Sequence, residues 1–171
     1  MRLLNYILSA SLSLFGLSAE AKVFQKEKVE AVLVIRLLSF IQWSKSSQTS
    51  PHLCVFNAQE HLEMLRQVLQ HKSAKDSGLL VHDLQSSPKS CDVVLYSGIA
   101  SPKAEAKVGS YPNAALIETS DADGWSRKHT LVKLLEKDGY VKFIIYLANA
   151  RARSILVDSR LLKLAYKIEE N

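Results

Sequence analysis

The stretch VKFIIYLANARARSILVDSRLLKLA, Val141 to Ala165, decides the fold. Val141, Phe143, Ile145 and Leu147 alternate with Lys142, Ile144 and Tyr146, and all but the lysine are apolar or aromatic. That pattern predicts a strand buried on one face at least, with apolar residues enough for both. A basic turn, Arg151-Ala-Arg153, follows. Asp158 or Ser159 then caps a final helix whose Leu161, Leu162, Leu164, Ala165 and Ile168 make one apolar stripe. A strand feeding a C-terminal helix supplies a sheet and a cover for it, and no catalytic group stands out within it.

Immediately upstream, Thr130–Glu136 and Gly139–Leu147 flank Asp138-Gly139. An Asp-Gly turn between two apolar runs predicts a hairpin. Before it, strands and helices alternate. Phe24 to Trp43 is helical by period: Val29, Val32, Leu33, Arg36, Leu37, Phe40 and Ile41 recur at three- and four-residue steps, Val34, Ile35 and Leu38 widen the apolar face, and Trp43 closes the helix. A polar connection runs from Ser44 to Pro51. Strands are expected at 52–57, 79–84, 92–97 and 114–119, and helices at 60–71 and 102–108. Such alternation implies parallel pairing with helices above and below, and the hairpin adds an antiparallel pair. The expected fold class is therefore α/β, a single compact domain with a mixed five- or six-stranded sheet and helices on both faces.

The N-terminus carries a targeting signal. Arg2 precedes a mostly apolar run from Leu3 to Leu17, and Ala19-Glu20-Ala21 has the small-x-small pattern of a cleavage site. Residues 1–21 are expected to be a signal peptide removed after Ala21, leaving a soluble domain, 22–171, outside the cytoplasm; a retained anchor helix is the alternative. The net charge is +5, and removing Arg2 and Glu20 leaves it there. The Lys and Arg are spread along the chain without the basic, aromatic-interleaved stripe that nucleic-acid binding requires.

Of the two cysteines, Cys54 lies in the first predicted strand and Cys91 stands at the start of the third. An even count in an oxidising compartment favours a disulfide, with two buried thiols as the alternative. The five His, at 52, 61, 71, 82 and 129, show no ligand spacing, so no metal site is expected. Asp121-Ala-Asp123-Gly124 opens like a calcium loop, but the Gly comes too early and the closing Glu is missing. No nucleophile elbow, phosphate loop or dinucleotide fingerprint occurs, so neither catalytic residues nor a cofactor is assigned.

Four segments together resemble the YfiR family of periplasmic proteins (the DUF4154 domain). They are a helix from Ala31 ending in Phe-Ile-Gln-Trp43, Leu53-Cys-Val-Phe56, Ser90-Cys-Asp-Val-Val-Leu-Tyr96, and Val141-Lys-Phe143 through Leu161-Leu-Lys-Leu-Ala165. The resemblance covers nearly all of the chain beyond the leader. It departs at Ile35-Arg36, Ser44, Lys128-His129 and Tyr146, where the family usually carries other residues. It implies a periplasmic α/β domain that is not an enzyme. The best-known member restrains a membrane-bound diguanylate cyclase by binding its periplasmic sensory region, with redox state affecting the restraint. The family's cysteines map onto Cys54 and Cys91, which supports the bridge, and members self-associate as dimers.

The expected function is thus a regulatory binding protein of the periplasm, its partner the periplasmic domain of an inner-membrane diguanylate cyclase or sensor kinase. An envelope small-molecule-binding module is the alternative. Arg151, Arg153 and Arg160 around the last helix are candidate anion or partner contacts, through their guanidinium forks. Trp125, beside a polar loop, is a candidate partner anchor.

Overall fold

In the computed structural model of the chain, which describes residues 18–43, 50–70 and 78–170, a seven-stranded mixed sheet carries helices on both faces. The elements in order are α1 (Ser18–Leu38), β1 (Ile41–Trp43), β2 (His52–Phe56), α2 (Gln59–Gln70), β3 (Leu80–Asp83), β4 (Val93–Tyr96), α3 (Pro102–Gly109), β5 (Ala115–Glu118), β6 (Thr130–Lys137), β7 (Tyr140–Tyr146), α4 (Leu147–Ala152), β8 (Ile155–Val157), α5 (Ser159–Leu164) and β9 (Lys167–Glu169). Most of the expected leader, the connection at 44–49, His71 and the ring of Trp43 lie outside the described residues.

The sheet order is β3-β2-β4-β5-β6-β7-β9. From β3 to β6 every pair is parallel, as helical crossovers demand. The expected hairpin reverses the direction. Asp138 and Gly139 both take positive φ (57° and 76°), the geometry that matches a tight turn to strand twist. It places Val132 opposite Ile145 and Leu134 opposite Phe143. Three of the sheet's inner strands, β2, β4 and β5, are buried almost along their whole length, so they read as continuous apolar runs.

Strand alternation divides the core in two. Leu53, Val55, Val93, Leu95, Ala115 and Ile117 face one side, where α1 and α2 cover them with Ala31, Val34, Leu37, Leu62 and Leu65. Cys54, Phe56, Val94, Tyr96 and Leu116 face the other, under Ala104 and Val108 of α3. Ser101 caps α3 by accepting from Ala104 N at 3.2 Å, and Pro102 opens it, where a missing N–H costs nothing.

The strand count exceeds the expected five or six because three-residue strands carry too little pattern to see. The α1 helix also ends earlier than its period suggests. Ser39 Oγ donates to Arg36 O at 2.7 Å, the chain turns at Phe40, and Ile41–Trp43 pair with β8 as a separate two-stranded ribbon. The buried face of α1 is the expected one at Val34, Leu37 and Leu38 but differs in its first turns. Val29 and Val32 are exposed, while Glu27, Glu30, Ala31, Val34, Leu37 and Leu38 are buried.

The C-terminal region departs furthest from expectation. Arg151 lies in α4 and Arg153 caps it. Asp158 does cap a helix, accepting from Arg160 N at 2.7 Å, but α5 ends at Leu164. Ala165 turns extended, and Lys167–Glu169 add to β7 as an edge strand. Leu164 and Ile168 are exposed in consequence; only Leu161 of the predicted stripe is fully buried.

Candidate functional site

The loops after β2, β4 and β5 emerge at the same edge of the sheet, because those strands are parallel. The chain runs from β2 out to β3 and then back past it to β4, so the direction of winding reverses between β2 and β4. In open α/β sheets that crevice is where function concentrates. Asn57 (φ 51°) and Gly98 (φ 75°) turn the chain there, and Ile99 stands 81% exposed beside them. A bridge between Ile99 and Asp123 attaches the post-β4 loop to the loop after β5.

The loop from Ser120 to Lys128 has different partners on its two sides. Toward α1 it meets a buried polar cluster. Glu30, with no exposed surface, accepts from Ser120 Oγ and lies 2.8 Å from His61 Nε2 on α2. Lys26 pairs with Asp121. Burial opposes the Lys26 charge, yet the hydrogen bond and attraction of Asp121, with Glu30 and Glu27 behind, hold its ammonium above the ordinary value. Glu27 is buried, 3.8 Å from Lys26 through one oxygen, while its Oε2 has no hydrogen-bond partner among the described residues. The cluster joins α1, α2 and the post-β5 loop through charge and hydrogen bonds rather than apolar contact. The sequence reading missed it because Glu27 and Glu30 share the helix face of Ala31 and Val34, positions where charge is unexpected. The i, i+3 spacing of two acids on the buried phase was the signal.

On its other side the loop packs Trp125 against Tyr96 (ring centroids 4.4 Å apart) and edge-on to Phe56 (6.3 Å). Trp125 Nε1 donates to Gly98 O at 2.8 Å. The indole is therefore positioned by three elements and only partly open. It lines a groove of about 430 Å³ with Tyr96, Val108 and Leu116 as floor and Glu105, Lys128 and His129 at the rim. Under that floor Tyr96 Oη bonds Thr130 Oγ1 at 2.6 Å and approaches Glu118, which Lys133 neutralises. Burial pushes the Tyr96 phenol up; the Thr130 bond opposes this and the Glu118 carboxylate reinforces it. The phenol stays a neutral donor.

The three arginines do not converge. Arg153 is half-buried and donates to the carbonyls of Tyr111, Pro112 and Ala114 at 3.2, 2.8 and 2.8 Å. Burial lowers its affinity for the proton, and its Nη1 group, shared among three carbonyls, clamps the approach to β5. Arg160 forks onto Asp158, 2.7 Å from Oδ2, and lies over the Phe40 ring. The Arg160 bonds hold the Asp158 carboxyl at about 2. Arg151 is exposed.

Cys54 and Cys91 form a disulfide with Cα atoms 5.8 Å apart, joining the middle of β2 to the residues just before β4. It lies in the core on the α3 side. No described helix is long and apolar enough to cross a membrane.

No curated protein matches the chain. The model of the YfiR/HmsC-like family, the DUF4154 domain, matches residues 27–166. That span runs from the buried acids of α1, through the disulfide and the loop carrying Trp125, to the residue before β9. The chain belongs to the YfiR/HmsC-like family.

Proposed function

We propose that this chain is exported, loses its leader after Ala21, and acts in the periplasm as a regulatory binding protein. It restrains a membrane-bound signalling enzyme, a diguanylate cyclase by the family resemblance, by holding that enzyme's periplasmic sensory region. Family membership across residues 27–166 is the observation that carries this reading. Ile99, exposed at the carboxyl end of the parallel strands on a loop bridged to Asp123, offers an apolar contact of the kind that anchors an interface. Control is a population shift: a signal acts only insofar as it binds the free and partner-bound states differently.

Deleting the gene and measuring cyclic di-GMP and biofilm tests the proposal, with in-cell crosslinking to recover the partner. Raised cyclic di-GMP and a crosslinked membrane enzyme are expected, and Ile99→Arg reduces the crosslink. Unchanged cyclic di-GMP with no membrane partner rejects the cyclase reading. The groove beneath Trp125 supports a second reading, a small-molecule-binding module. Stabilisation by one class of solute that disappears in Trp125→Ala, without any protein partner, favours that one.

A further inference from the structure

The five histidines look scattered in sequence, but two of them meet. His52 opens β2 and His82 lies in the neighbouring parallel strand β3, where it is the register partner of Cys54. His82 Nε2 is 3.0 Å from His52 Nδ1, and the planes of the two rings are within 11° of parallel with centroids 5.0 Å apart. The two nitrogens point at one another and share a single proton position. Both rings are partly exposed.

The mounting is rigid. His52 N–H donates to Asp92 Oδ2 at 2.8 Å, and its carbonyl accepts from Asp92 N at 2.9 Å. Asp92 follows Cys91, so the disulfide to Cys54 anchors the same corner. Leu80 N donates to Pro51 O at 2.9 Å, which sets β3 against the start of β2.

We propose that His52 and His82 form a binding site for one first-row divalent transition ion, copper or zinc in chemistry, bound by the two facing imidazole nitrogens with water completing the shell. Neutral imidazole is the common protein ligand for these ions. At metal–nitrogen bonds of about 2.0–2.1 Å, a tetrahedral ion separates its nitrogens by roughly 3.3 Å, so the pair opens by only about 0.3 Å and tilts to accept it. The proton now between the rings moves to the outer nitrogen of its own ring, and no other group need change charge. The charged groups nearby act in opposite senses. Arg66 of α2 disfavours added positive charge, and Asp92 favours it.

No group of three or more His, Cys, Asp or Glu placed to hold an ion occurs among the described residues. The site therefore has two protein ligands and open positions, and binds exchangeably rather than as a permanent structural metal. This inference is independent of the cyclase reading.

The test uses the tag-free, oxidised, chelator-stripped chain. Titration with Cu²⁺, Ni²⁺ and Zn²⁺ is expected to saturate near one ion per chain, copper tightest. H52Q and H82Q should each weaken binding roughly tenfold or more, with unchanged circular dichroism in chelator. Electron paramagnetic resonance of the copper-loaded native chain should show two imidazole nitrogens. Copper bound through other ligands, binding untouched by both substitutions, or no binding by the native chain at micromolar ion overturns it.

Discussion

The two faces of the sheet are held by different physics. On the α1/α2 face, long helices bury a wide aliphatic layer, and one charged cluster, Glu30 with His61 and Ser120, sits inside it. On the α3 face a single helix of two turns covers the strands. There the disulfide, the Trp125–Tyr96–Phe56 packing and the Arg153 clamp replace the missing apolar cover. Where helical cover is thin, covalent and polar staples supply the order that burial supplies elsewhere.

The largest expected effect tests the helical face. Glu30→Ala leaves the buried His61 and the partly buried Ser120 without their acceptor and should cost about 3 to 5 kcal/mol by urea unfolding, the usual result of breaking a buried pair. Replacing both Glu30 and His61 by Leu should recover most of that loss; a double variant as unstable as the single one would mean the cluster is needed for more than its own satisfaction. Next comes the stapled face. Removing both sulfurs with Cys54→Ala and Cys91→Ala frees a loop of sequence separation 37 and should cost about 3 to 4 kcal/mol, on the loop-entropy account. Should these two alanines leave stability unchanged, the staple is not what compensates for thin cover.

Arg153→Met is a smaller perturbation of the same face. It keeps the aliphatic stem but withdraws the donor from three carbonyls, and about 1 to 3 kcal/mol of destabilisation is expected from unsatisfied acceptors. The smallest effect belongs to the exposed α5 cap. The Asp158 carboxyl is held at about 2 against an ordinary 3.8. A depressed carboxylate stabilises the fold above its unfolded value and loses that contribution as pH falls through the folded one. The melting-temperature gap between the native chain and Asp158→Asn should therefore be present at pH 6 and close between about pH 4 and pH 2.

These differences mark what could be read from residues alone. The alternation of strand and helix, the Asp138-Gly139 turn and the even pair of cysteines are local or compositional signals, and the structure contains the parallel sheet, the hairpin and the bridge they predicted. The site was less legible. Trp125 stood out as a large aromatic beside a polar loop, but its packing on Tyr96, 29 positions earlier, needed coordinates. Arg151, Arg153 and Arg160, close in sequence, were parted because α4, β8 and α5 turn them to different surroundings.

By itself, then, the sequence determined an α/β chain with its inner strands, its hairpin and its family. Periodicity and turn chemistry act over a few residues, and those are the interactions a linear pattern records. Only tertiary structure decided that Leu164 and Ile168 face outward, that Ile41–Trp43 leave the helix for β8, and that His52 finds His82 and Glu30 finds His61. Each of those outcomes depends on which distant element arrives beside a segment, and the free energy of that encounter outweighs the weak preference of three or four residues for helix or strand.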